Sequence, residues 1–82
     1  MPYIEFKRRT ALHVPSYVDM PQTAGELNYC ITTLIVKYLA DRTNYAGINE
    51  VVGVLECVKQ EVYRRVASPY EDEKKKQHGD VF

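Results

Sequence analysis

The stretch TAGELNYCITTLIVKYLADRTNYAGINEVVGVLECVKQEVYRRVA, residues 23–67, decides the fold. Its first four residues, Thr23-Ala24-Gly25-Glu26, have the form of a capping box. In such a box a hydroxyl accepts one orphan amide of a helix start, and a carboxylate three residues on reaches back. Apolar side chains then recur at Leu27, Cys30, Ile31, Leu34, Ile35, Tyr38 and Leu39, the spacing of one helical face. Asn28, Thr32, Thr33, Lys37 and Asp41 fall on the other side, and Asp41-Arg42-Thr43-Asn44 reads as a short connection. A second helical period runs from Asn44 or Tyr45 to about Ala67, through Ile48, Val51, Val52, Leu55, Val58, Val62 and Val66. Val54 and Cys57 widen that stripe. Each valine lowers helix propensity by a few tenths of a kcal/mol, so this helix needs burial to hold it. A strand over Val51–Leu55 is the competing reading, and a helical period kept for about five turns outweighs it.

Working outward, residues 1–22 hold three prolines, Pro2, Pro15 and Pro21. Proline lacks an amide hydrogen and restricts the residue before it. The expectation here is an irregular arm with one turn of helix after Pro15, at Tyr17, Val18 and Met20. On the other side, Ser68-Pro69-Tyr70-Glu71 repeats a helix-start signal. It predicts a short third helix, set at an angle to the second. Glu71, Asp72 and Glu73 would suit its positive end, Lys74, Lys75 and Lys76 its negative end, and Gly79 would stop it. The predicted architecture is a single all-α domain: an irregular arm over 1–22, a long antiparallel helical hairpin over 23–67, and a short C-terminal helix with its tail over 68–82.

A short link makes an antiparallel hairpin the natural pairing. Counted about the turn, Leu34 comes opposite Gly53 and Tyr38 opposite Asn49. Glycine inside a helix costs about 1 kcal/mol against alanine, so a large side chain packed over Gly53 would account for it. A small chain has little core to spare, and the valine stripe is wider than one partner helix covers. The expectation is therefore a homo-oligomer, most simply two hairpins in a four-helix core, with Leu34, Tyr38, Gly53, Val54 and Cys57 at the interface or core. The competing arrangement closes the core within one chain, using residues 1–22 and the third helix.

Composition narrows the function. The 82 residues carry 11 Lys plus Arg and 11 Asp plus Glu, a formal charge of zero. A chain without net charge has no global field drawing it to nucleic acid or an anionic membrane. The longest apolar stretches, Cys30–Val36 and Val51–Leu55, fall short of the ~18 to 20 residues that span a bilayer. Two cysteines make no disulfide framework, and no charged-then-apolar leader opens the chain. A soluble, cytoplasmic domain is expected.

Few residues offer chemistry. Cys30 and Cys57 sit in apolar stripes without a CxxC, so they read as small hydrophobes. His13 lies in the proline-rich arm, and His78-Gly79-Asp80 gives only two metal ligands on a tail. There is no phosphate loop, nucleophile elbow or HExxH. No cofactor, metal or catalytic residue is assigned, and a small metal-dependent enzyme using the C-terminal acidic and histidine residues stays as a lesser alternative. The one constellation of interest is Tyr63, Arg64 and Arg65 with Tyr70. Hairpin pairing would bring them to the helix start at Thr23-Ala24-Gly25 and to the start at Ser68-Pro69-Tyr70. Two helix N-termini, two guanidinium groups and two tyrosines could then bind an anion such as a nucleotide. The plainer reading is a self-neutralised face, with Glu61 four residues before Arg65 and Glu26 and Glu71 on the amides. Seven tyrosines against two phenylalanines also suit a partner surface, with Tyr29, Tyr38, Tyr45 and Tyr63 on or beside helix faces.

The blocks Gly25-Glu26-Leu27-Asn28-Tyr29, Ile48-Asn49-Glu50-Val51, Leu55-Glu56-Cys57, Tyr63-Arg64-Arg65, Pro69-Tyr70-Glu71-Asp72 and Gly79-Asp80-Val81 resemble those of a family of short phage and prophage proteins. The likeness runs from about residue 23 to the end, and the Met-Pro-Tyr-Ile start is also similar. It implies a viral accessory protein acting in the cytoplasm of an infected bacterium, and it supplies no catalytic residue. Three functions follow as expectations. The first is a non-catalytic accessory protein binding a host molecule, in its sharpest form sequestering a nucleotide signal of host defence. The second is a protein-interaction module docking on a host or virion protein, and the third is the small enzyme.

Overall fold

A computed structural model describes residues 3–12 and 14–82, and every regular element among them is helical. His13 lies outside the described residues. The chain divides into two units, one reaching to Ile48 and one running from Asn49 onward.

The first unit opens with α1, Phe6–Ala11, where the sequence predicted only an irregular arm. The prolines bracket this segment without entering it, so its backbone ladder can close. Arg9 N–H donates to the Glu5 carbonyl at 2.9 Å, and the Thr10 hydroxyl donates to the Lys7 carbonyl at 2.9 Å. The Arg9 guanidinium stands 5.8 Å from the Phe6 ring centroid. The turn expected after Pro15 is present as a 3-10 turn over Tyr17–Asp19. Asp19 N–H closes it on the Ser16 carbonyl at 3.0 Å.

α2 spans Ala24–Leu39 and starts as its sequence dictates. Thr23 is extended, and its Oγ1 accepts the Glu26 N–H at 3.1 Å. Glu26 Oε1 reaches back one residue beyond the cap, to the Gln22 N–H at 2.8 Å. α2 ends in a tight turn. The Leu39 carbonyl accepts both the Arg42 N–H at 2.9 Å and the Thr43 hydroxyl at 2.7 Å. Asn44 then caps α3, Tyr45–Val62, its Oδ1 accepting the Gly47 N–H at 2.8 Å.

This turn depends on a glycine that the periodic pattern did not single out. Gly47 is buried, and a Cβ there would collide with the backbone carbonyl of Arg42. Arg42 meanwhile lays its guanidinium 4.1 Å from the Tyr38 ring centroid and pairs with Asp41 at 3.5 Å. Gly53, the glycine expected beneath a large side chain, is different. A Cβ built there meets nothing within 4 Å.

In the second unit, α3 continues without a break through a π-helical turn, Tyr63–Ala67, into α4, Ser68–His78. The predicted angled third helix is thus corrected to an in-line extension. Ala67 and Ser68 both keep right-handed helical angles, and no side chain caps this junction. The reason lies in Pro69. It has no N–H for the Arg65 carbonyl four residues back, and its ring would press on that carbonyl in a regular α-turn. A wider turn relieves the crowding, and the Ser68 N–H donates to the Tyr63 carbonyl five residues back. Glu71, Asp72 and Glu73 therefore face no free positive helix end. The negative end carries Lys75 and Lys76 as expected, with His78 in place of Lys74 in the last turn. Gly79 ends the helix at φ 84, its N–H on the Lys75 carbonyl at 2.8 Å; that left-handed angle is one an L side chain resists.

Neither unit shows a core among its described residues. No hydrophobic side chain is buried among the described residues. Of the set expected at a core or interface, Leu34 is 70% exposed and Val54 61%. Tyr38 and Cys57 are exposed as well, as is Cys30, so neither cysteine is the buried hydrophobe its stripe suggested. No helix among the described residues is long and apolar enough to cross a membrane.

Candidate functional site

Tyr63, Arg64 and Arg65 lie in the π-turn, and Tyr70 lies one residue past Pro69 in α4. A single helical run therefore carries all four. Its chemistry is dominated by Glu61, in the last turn of α3. Arg64 Nη2 donates to both Glu61 oxygens, at 2.7 Å and 2.6 Å. Arg65 Nε donates to Glu61 Oε1 at 2.7 Å. The Glu61 side chain is only 19% exposed. The bonds from Arg65 and then Arg64 hold the Glu61 carboxyl below its ordinary pKa.

The tyrosines are tied into the same helix. Tyr63 Oη donates to Glu71 Oε1 at 3.3 Å, across the π-turn. Lys74 Nζ stands 5.5 Å from the Tyr70 ring centroid, within reach of a cation–π attraction. One turn earlier, Glu56 accepts from Gln60 at 3.2 Å and pairs with Lys59 at 3.1 Å, and these contacts lower its pKa.

Of the parts assigned to an anion pocket, the four side chains share one stretch of helix. The helix start at Ser68 does not exist, because the chain enters it already helical and supplies no orphan amides there. The start at Thr23 belongs to the first unit, where Thr23 and Glu26 bond its amides. The plainer reading, a face that neutralises itself, is what Glu61 builds. Sequence reasoning identified that pairing from the four-residue spacing. It missed Arg64 as the second partner and the π-turn in which both arginines lie.

Among the described residues no three His, Cys, Asp or Glu side chains gather as metal ligands. Neither a curated protein nor a solved structure matches the chain. A family model does match, over residues 1–81. The chain belongs to the family described as a domain of unknown function, DUF6899.

Proposed function

We propose that this protein is a non-catalytic protein-interaction module whose helices are completed by a second copy of the same chain. One observation carries the reading: no hydrophobic side chain among the described residues is buried. Leu34, Tyr45, Val52, Val54, Val62 and Val66 are each more than half exposed, which leaves apolar surface of the kind an obligate interface covers. Balanced charge permits like to meet like, since no net field drives two copies apart. In this reading residues 23–67 double back as a hairpin, and two hairpins share a four-helix core. The likeness to short phage proteins supports a role in an infected bacterial cell, with the exposed tyrosines available to a host or virion protein.

Sequestration of a nucleotide signal ranks second. A phosphate would have to displace Glu61 from both Arg64 and Arg65, which lowers the gain from either guanidinium. Its test is a thermal-shift screen with nucleotides. A rise that Arg64→Ala or Arg65→Ala abolishes, without lowering the melting temperature of the free protein, would move this reading ahead.

Sedimentation velocity at micromolar concentration tests the first reading. The expected result is a dimer or larger species, with a melting temperature that rises with protein concentration. A compact monomer with a concentration-independent melt overturns it.

A further inference from the structure

We infer that the second copy lies along one seam of the Tyr45–His78 helical run, and that the π-turn keeps that seam straight. This deepens the self-association reading and rests on it. Val51, Leu55, Val58 and Val62 follow one another at steps of four, three and four residues, the repeat of a coiled-coil seam. Continued through a regular α-helix, the same repeat would next reach Arg65 and Pro69. Neither suits an apolar interface. The turn at Tyr63–Ala67 is π-helical, which accommodates one extra residue and sets the helix back by about 100°. The positions after Val62 then become Val66 and Tyr70. The seam runs on, apolar, through both.

None of these six side chains is buried, and its length limits how far α2 can cover them. α2 has 16 residues, about 24 Å of helix. Folded back from the turn at Asn44, it can cover α3 only as far as about residue 60. Val66 and Tyr70 lie beyond the reach of α2, and the proposed second copy covers them. In a four-helix core every helix turns its seam to the common axis, so one seam serves both the fold-back and the second copy. The rim fits an identical partner. Lys59 pairs with Glu56, and Arg64 and Arg65 pair with Glu61, on their own helix. Two such rims meet without an unmatched charge that would call for a foreign, oppositely charged surface. This also assigns the arginine cluster a place, as the neutral flank of an interface.

The test uses the full chain and three lysine variants, Val58→Lys, Tyr70→Lys and Gln60→Lys, in sedimentation equilibrium with helicity followed by circular dichroism. Gln60 stands two residues past Val58, on the far side of the helix. Val58→Lys and Tyr70→Lys should each weaken association at least tenfold, and Gln60→Lys should leave it unchanged. Where folding requires the partner, the two seam variants should lose helicity when dilute and regain it as concentration rises. If Val58→Lys dissociates the protein and Tyr70→Lys does not, the seam stops at the π-turn and the inference fails while self-association stands. Wild-type association in all three variants also overturns the seam and leaves the parent reading intact. A monomeric wild type removes both.

Discussion

Replacing Gly53 with alanine puts two accounts of the second helix in direct opposition. Gly53 is two residues from Val51 and two from Leu55, about 200° around the helix from either. It therefore stands on the side away from the seam, and a Cβ there meets nothing within 4 Å. Alanine should then fill empty space, and the helix keeps only the propensity gain of about 1 kcal/mol per chain. For a domain of this size that gain raises the melting temperature by roughly 4 to 8 °C. Melts followed at 222 nm, at one fixed concentration, measure it, and sedimentation should show the same association as wild type. The pairing counted from the sequence, Leu34 opposite Gly53, gives the opposite sign, because a methyl group would hold that side chain off the helix. A lower melting temperature, or weaker association, would refute the outward placement of Gly53.

Three further outcomes follow. Gly47→Ala drives a methyl group into the Arg42 backbone carbonyl, so it should lower stability by about 1 to 3 kcal/mol, read as a drop in the melting temperature that Gly53→Ala does not share. Thr23→Ala removes the acceptor for the Glu26 N–H and should cost about 1 kcal/mol, with Thr23→Ser restoring most of it. Glu61 and Glu56 both have folded pKa values below the ordinary carboxylate range. Their contribution is therefore complete above about pH 4.3 and fades as pH falls through the lower folded values, because the unfolded chain takes up protons first. Melting temperature should decline as pH falls below the ordinary carboxylate range, and Glu56→Gln with Glu61→Gln should flatten that decline.

Much of the helical layout was legible in the residues, because caps and periodicity act over one or two turns. Thr23 and Glu26 start α2 on their own hydroxyl and carboxylate, and Gly79 stops α4 with an angle few other residues accept. The four-residue step from Glu61 to Arg65 likewise announced an ion pair. The candidate site was half legible for the same reason. Arg64 at three residues is an equally local partner, and only the structure showed that one carboxylate takes both guanidinium groups. Gly47 was hidden because nothing in its neighbourhood signals that the chain bends back against the Arg42 carbonyl.

What the sequence by itself determined is that residues 24–78 are largely helical, where α2 begins and where α4 ends, since each follows from periodicity and from side chains bonding amides within their own turn; α1 it did not foresee. Only the tertiary structure decided how the chain passes Ser68-Pro69. The same residues can open a new helix or sit inside an existing one, and the choice depends on whether the preceding helix arrives with a turn wide enough to absorb a missing N–H. It arrives as a π-turn, so the two elements become one rod. The structure also decided that no hydrophobic side chain of either stripe is buried among the described residues, because burial depends on what is brought alongside a helix and not on the order of residues within it.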